Sequence, residues 1–335
     1  MIEQGIGVNQ SCPVCEGGES SLHARIDGYD YFRCSACGSL HIDQATLNAI
    51  DAGKSTRVYD SQYWQEELRA SRERAQGVSL VRAGEAILYA RRPVRRFLDV
   101  GTGPGFLIDA LGGLLPMHAQ VFHGIERFPP AEHSRHPNYR VGELRDLGGI
   151  FDAGTCIEVA EHLTPRMLQT VAHGLAAISG AGSLWLFNTG SPEYVLHEDP
   201  GYLDPLRRGH IVAYGLRGIR HIFEPLGFRV SAIPGKSYAW FAEFRPAETL
   251  DFAERVYRPV AANALLLQES GLLFQAAFES ARASLYQQTP LASPAAESVA
   301  PADVWNEYQR MLRSRSWKMT QPLRHVARWL RRMRG

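Results

Sequence analysis

The chain has 335 residues, 45% of them hydrophobic and 21% charged, with a formal net charge of +1. That is the ordinary mix of a soluble globular protein, long enough for one large domain with appendages or for two domains. No apolar run approaches the length of a bilayer span, and residues 1–8 lack the basic start and apolar stretch of a secretory signal, so a cytoplasmic address is expected.

Taken in chain order, the first feature is a pair of C-x-x-C units, Cys12 with Cys15 and Cys34 with Cys37. Eighteen residues separate the two units, a spacing that suits a four-cysteine zinc site. Four thiolates fill a tetrahedral ion, so the zinc expected here is structural. Residues 16–33 carry Arg25 and Arg33 against Glu16, Glu19, Asp27 and Asp30. Such a ribbon, placed at residues 8–43, would not attract phosphate, and no nucleic-acid partner is expected. Residues 44–93 form a helical connector closed by Pro93.

From Val94 the pattern changes to short apolar runs alternating with helical stretches. The runs RRFLDV, QVFHGIE, NYRVGE, FDAGTCIE, GSLWLFN, FRVSAI and KSYAWFAEF are the expected strands. Near-continuous apolar runs of this kind suit parallel strands buried on both faces. The fold expected over residues 94–248 is α/β, a Rossmann-like, doubly wound, mostly parallel seven-stranded sheet, with the zinc ribbon before it and helices after it. Residues 249–287 are a helical segment rich in Ala and Leu. Residues 288–302 are an Ala/Pro/Ser linker, and residues 303–335 a basic amphipathic segment.

The first strand ends in Asp99 and runs into Gly101, Thr102, Gly103, Pro104 and Gly105 before a helix. Glycines there let the backbone approach a ligand closely and present free N–H groups at the helix start. The G-x-G-x-G spacing with Pro104 inside departs from the dinucleotide fingerprint, and the Lys-Ser/Thr of a phosphate loop is absent. VGTGPG with its preceding Asp resembles the first motif of the class I methyltransferases, which implies S-adenosylmethionine as cofactor. The resemblance implies that Glu126, ending HGIE, holds both ribose hydroxyls, and that Glu143 takes the position contacting the adenine amino group, where Asp is usual. Cys156, alone in the apolar fourth strand, is grouped with the cofactor-binding residues.

The fourth strand leads into Glu158, Glu161 and His162, an E-x-x-E-H pattern at the strand's C-terminal end, where open α/β sheets bind ligands. This segment resembles the subfamily that includes the ubiquinone-biosynthesis O-methyltransferases and the sugar-modifying C- and O-methyltransferases. Three assignments stand open. His162 can act as general base, raised and oriented by Glu161. The resemblance also implies a divalent cation, Mg²⁺ or Mn²⁺, on Glu158, Glu161 and His162. The third assignment is helix capping, with Thr164-Pro165 starting the next helix. The stretch after the fifth strand, with Glu193, His197, Asp199, His210 and Tyr214, is expected to be a substrate lid. GHIVAYGLRGIRHIFEPLGF resembles a family helix that ends in Gly-Phe, which makes His210 a further catalytic candidate.

The segment YDYFRCSACGSLHI is similar to the zinc ribbons fused to methyltransferases of sugar and surface-polysaccharide assembly. The expected function is therefore methylation of a sugar, on oxygen, in a nucleotide- or lipid-linked glycan. C-methylation of a keto-sugar nucleotide and a non-catalytic module of a polysaccharide-assembly complex are the alternatives. From Tyr308 to Gly335 there are nine Lys/Arg and no Asp/Glu, which leaves 27 basic against 35 acidic residues in the rest. Leu323, Val326, Leu330 and Met333 repeat at helical spacing among arginines, so this end reads as a helix lying on an anionic membrane or docked on the acidic body. SRSWKMTQPLRHVARWLRRM is similar to a segment that ends bacterial glycosyltransferases of surface-polysaccharide assembly, which implies a peripheral place at the inner membrane face.

Overall fold

The computed structural model describes residues 10–57 and 61–288. The linker beyond Gln288 and the basic segment, with its expected membrane contact, lie outside the described residues. Among those residues no helix is long and apolar enough to cross a membrane.

The cysteine-paired N-terminus forms short antiparallel strands, β1 (Gln10–Ser11), β2 (Glu19–Ile26), β3 (Tyr29–Cys34) and β4 (Leu40–Ile42). Asp27 and Gly28 turn β2 into β3 with φ of 49° and 87°. Two left-handed residues are what the right-handed twist of a tight hairpin requires. The connector is three helices, α1 (Gln44–Asp51), α2 (Ser61–Ala75) and α3 (Val78–Tyr89). Asp43 caps α1 by accepting the Thr46 N–H at 2.9 Å.

The apolar runs after Pro93 become the large sheet. In chain order its region contains β5 (Phe97–Val100), α4 (Phe106–Leu114), β6 (Phe122–Glu126), β7 (Tyr139–Val141), β8 (Phe151–Ile157), α5 (Pro165–Ala177) and β9 (Ser179–Asn188). There follow α6 (Pro192–His197), β10 (Val212–Ala213), α7 (Leu216–Phe223), β11 (Phe228–Ala232) and β12 (Ala239–Phe244). The seven-stranded order is β11-β12-β9-β8-β5-β6-β7. Every neighbouring pair is parallel except those of β12, which runs antiparallel to both β9 and β11. The expected doubly wound, mostly parallel sheet is thus what the chain forms, with one reversed strand that its sequence pattern did not distinguish.

Each strand feeds two cores because side chains alternate across the sheet. In β9, Trp185 and Phe187 pack on one face while Leu184 and Leu186 pack on the other. The first core also takes in Tyr31, Leu40 and Ile42 of the N-terminal sheet. That sheet is completed from within the larger region: β10 pairs antiparallel with β4, Val212 opposite His41 and Ala213 opposite Leu40. Three C-terminal helices, α8 (Phe252–Tyr257), α9 (Ala261–Gln268) and α10 (Gly271–Gln288), close the opposite face beside α3.

Strand order reverses between β5 and β8, because the chain builds β6 and β7 to one side and then crosses to build β8 and β9 on the other. Carboxyl ends of strands diverge at such a point and leave a crevice.

Candidate functional site

A cleft of about 2060 Å³ opens at this crevice. Its walls combine the ends of β5, β6, β8 and β9 with residues of α2 and α3 and of the segment between α6 and β10.

On one side lies the glycine loop. Gly101, Gly103 and Gly105 have φ of 68°, 56° and 78°. A Cβ on Gly101 would stand 2.6 Å from Val159 Cγ2, and one on Gly105 would stand 2.7 Å from Ser134 and Tyr139. Gly103 is different: nothing stands within 4 Å of its missing Cβ, and it lines the cleft. Gly101 and Thr102 donate their N–H groups to Ile125 O, tying the loop to β6. Asp99 accepts the Thr155 hydroxyl at 2.8 Å, and burial pushes its carboxyl up to about 6. Glu126 accepts the Gly103 N–H at 2.9 Å on one oxygen and the Phe128 N–H at 2.8 Å on the other. Each oxygen keeps a lone pair for a ligand.

Glu143 also lines the cleft, but its carboxylate meets Arg145 at 2.9 Å and Arg127 at 3.4 Å. Three side-chain atoms of cleft-lining residues are buried and unpartnered, Arg82 Nε, Thr102 Oγ1 and Asn188 Oδ1. Backbone open to the cleft, an oriented carboxylate and orphaned polar atoms fit a polar, nucleoside-bearing cofactor such as the one the resemblance implies. Cys156 does not share this wall. It sits inside the sheet between Val100 and Phe187, 1% exposed, and burial pushes its thiol up. Although it is the penultimate residue of β8, it is not among the residues lining the cleft and packs in the core instead.

On the other side are the residues that follow β8. Glu158 takes up a left-handed φ of 56° and accepts the Asn188 Nδ2–H at 2.9 Å. A non-glycine residue is held in this conformation only where its surroundings dictate it. Burial, with Glu161 adding to it, pushes the Glu158 carboxyl up to about 8. Glu161 lies behind the cleft wall and is wholly buried, and neither of its carboxylate oxygens receives a hydrogen bond. The Thr189 and Tyr202 hydroxyls lie near enough to temper the rise that burial gives its carboxyl.

His162 and His210 line the cleft with ring centroids 4.9 Å apart. His162 Nδ1 lies 3.0 Å from Gly209 O, and His210 Nδ1 lies 2.8 Å from Tyr202 O. A carbonyl only accepts, so each Nδ1 carries the proton and each Nε2 is a bare lone pair. Burial lowers the basicity of both rings, His210 to about 2. Among the described residues, Glu161, His162 and His210 offer ligand atoms that all lie within 4.8 Å of one another. Glu158 is not in that group. Two imidazoles and one carboxylate are a poor match for Mg²⁺, which takes oxygen ligands, so this group is not a magnesium site.

Of the other lid candidates, Asp199 pairs with Arg208 at 2.7 Å and Tyr214 donates its hydroxyl to Leu163 O. Glu193 accepts the Ser191 hydroxyl. Sequence reasoning missed Asn188, Tyr202, Arg57, Arg74 and Arg82 as cleft residues. Asn188 alone carried a signal, as the polar residue that ends an apolar strand, as Glu126 ends β6.

The four ribbon cysteines also converge. Cys12 and Cys37 have Sγ atoms 3.8 Å apart, and Cys15 and Cys34 have theirs 3.7 Å apart. A tetrahedron with Zn–S near 2.3 Å has edges of about 3.8 Å, so the set fits zinc. Val14 and Cys37 N–H groups point at Cys12 and Cys34 sulfurs, each at 3.4 Å, and stabilise thiolate charge.

No protein-family model and no curated protein matches the chain. Among solved structures, it is similar to the S-adenosylmethionine-bound amino pentose methyltransferase CalS10 of Micromonospora echinaspora, at 19% identity and a TM-score of 0.42, over 56% of this chain and 98% of that one. It is similar to a SAM-dependent methyltransferase of Archaeoglobus fulgidus at 19% identity and a TM-score of 0.41, over 55% and 100% of the two chains. DesVI of Streptomyces venezuelae matches at 15% identity and a TM-score of 0.40, over 55% and 98%.

Proposed function

We propose that this chain is an S-adenosylmethionine-dependent methyltransferase that methylates a hydroxyl oxygen of a sugar in a nucleotide- or lipid-linked glycan of surface-polysaccharide assembly. The observation that carries the reading is the cleft's two-sidedness. A glycine loop and Glu126 form one wall, and Glu158, His162 and His210 form the wall opposite.

When bound, the cofactor supplies an electrophilic methyl group on a sulfonium. The backbone at Gly103 and the carboxylate of Glu126 hold its nucleoside end, and Asn188 Oδ1 offers an acceptor to its amino-acid end. Asp99, just before the loop, is fixed to β8 by the Thr155 hydroxyl. Methyl transfer is an in-line displacement, so the chain's main contribution is alignment and exclusion of water. Helices α2 and α3 supply the exclusion by roofing the cleft. Glu158, Glu161, His162 and His210 form the acceptor-side machinery, which receives the hydroxyl and disposes of its proton. Lys54, Arg57, Arg166 and Arg207 also line the cleft. Cations there favour an acceptor that carries phosphate.

The ribbon cysteines hold one structural zinc ion, and the basic end of the chain contacts an anionic membrane surface. Calorimetry with S-adenosylmethionine tests the central reading, followed by incubation with candidate nucleotide sugars and mass spectrometry. Micromolar binding and a product heavier by one methylene are expected. Absence of cofactor binding by the intact chain would overturn the reading.

A further inference from the structure

The acceptor wall contains an arrangement that hydrogen bonding leaves unresolved. His210 turns its bare Nε2 toward Glu161 Oε1 at 3.9 Å. Both atoms are lone-pair acceptors, because the only proton on His210 is committed to Tyr202 O. The ring of His162 is tied in the same way to Gly209 O. A fully buried carboxylate oxygen of Glu161 and one ring nitrogen of each histidine lie within 4.8 Å of one another. Buried acceptors converging on one point are stable only when something positive lies among them.

We propose that Glu161, His162 and His210 bind a divalent first-row transition-metal ion of the zinc or iron kind, and not magnesium. The 3.9 Å gap lies within the ~4.2 Å that separates opposite ligands of an ion at ~2.1 Å from each. The Tyr202 carbonyl that holds the far nitrogen of His210 is the kind of outer-shell partner that metal-bound histidines show. Nitrogen donors select zinc, iron, cobalt or nickel over magnesium and calcium.

The site is also placed for use. Glu161 floors it from inside, while both histidines line the cleft, so the ion's remaining positions open toward the acceptor. Three protein ligands with open positions are the pattern of catalytic rather than structural metal sites. An acceptor oxygen bound there would be polarised, and its proton would pass to Glu158, the cleft-facing carboxylate outside the ligand set. This last role rests on the methyltransferase reading. The ion site does not.

The test is a titration of the full-length chain, its ribbon filled with zinc, with Co²⁺ followed by visible absorption. One further equivalent of Co²⁺ should bind with weak ligand-field bands and without thiolate charge-transfer bands. A tenfold excess of Mg²⁺ should not displace it. Glu161→Gln and His210→Ala should each weaken binding by more than the roughly 10–100-fold that loss of an outer-shell partner costs. Should a variant fail to fold, the unaltered chain still decides: no Co²⁺ uptake beyond the ribbon, or uptake showing only thiolate bands, overturns the proposal. A chain that takes up Co²⁺ but not S-adenosylmethionine keeps the metal site and loses the methyltransferase reading. The reverse result keeps the enzyme and removes the ion.

Discussion

At Glu126 the two carboxylate oxygens are each fixed by a backbone N–H, one from Gly103 and one from Phe128. The side chain is therefore oriented before any ligand arrives, and its replacement removes both an anchor and a charge. Glu126→Ala should weaken S-adenosylmethionine binding by about 10–100-fold, the scale of losing a charged hydrogen bond of ~1.5–3 kcal/mol. Calorimetry reads this directly, and an unchanged affinity would show that Glu126 does not touch the cofactor. At Gly101 the restriction is steric. With φ at 68° and Val159 2.6 Å from any added Cβ, Gly101→Ala should cost about 1–3 kcal/mol, visible as a lower urea midpoint. His162→Ala should abolish methyl transfer while leaving cofactor affinity near that of the parent, because His162 stands on the acceptor side. Loss of both together would place it in the cofactor site instead.

Elements differ in how far their sequences announce them. The inner strand runs of the large sheet are legible because burial on both faces leaves them almost without polar residues, as in Leu184–Phe187, whereas the edge strands β7 and β11 are partly exposed. The ends of those strands are legible too, since Asp99, Glu126 and Glu158 each break an apolar run. Strand β10 is not legible. It is two residues long, and its partner β4 lies about 170 positions upstream, so only tertiary packing creates it. The left-handed turn at Glu158 has no sequence signal either, because the usual signal is glycine. Nor does the sequence show that His210, far along the chain, replaces Glu158 beside Glu161 and His162. That substitution depends on the path from α6 to β10.

Helix α8 docks on β12 through a buried ion pair, Arg255 with Glu243, whose side chains are 4% and 2% exposed. Arg255 also donates to Tyr89 O at 3.0 Å, which joins α8 to the end of α3. Glu243→Gln leaves that guanidinium buried without its counter-charge. A loss of about 3–5 kcal/mol is expected in denaturant unfolding, and a change below 1 kcal/mol would show that the charge is screened by water.

At the scale of the whole molecule, charge is unevenly distributed along the chain. Nine cations with no acidic residue occupy the last stretch, against an acidic remainder. With roughly 1 kcal/mol available per basic residue near an anionic leaflet, deletion of residues 316–335 should release the protein from anionic vesicles in a sedimentation assay. Retention on the vesicles would place the contact elsewhere. The ribbon, for its part, is not an appendage. Replacing Cys34 and Cys37 with Ser should remove about one zinc per chain by elemental analysis, and the effect should not stop at the ribbon. The Tyr31 hydroxyl of β3 donates to His210 O at 2.8 Å, Ile42 donates to Ile211 O, and β10 is the ribbon's fifth strand. Zinc at the cysteines and acceptor at the cleft thus act on the same few residues from opposite ends. Thermodynamic linkage then makes them reciprocal: whatever factor zinc adds to acceptor affinity, the acceptor must return to zinc. On the proposed reading, stripping zinc with a chelator should therefore weaken acceptor binding, which calorimetry with and without the chelator reads.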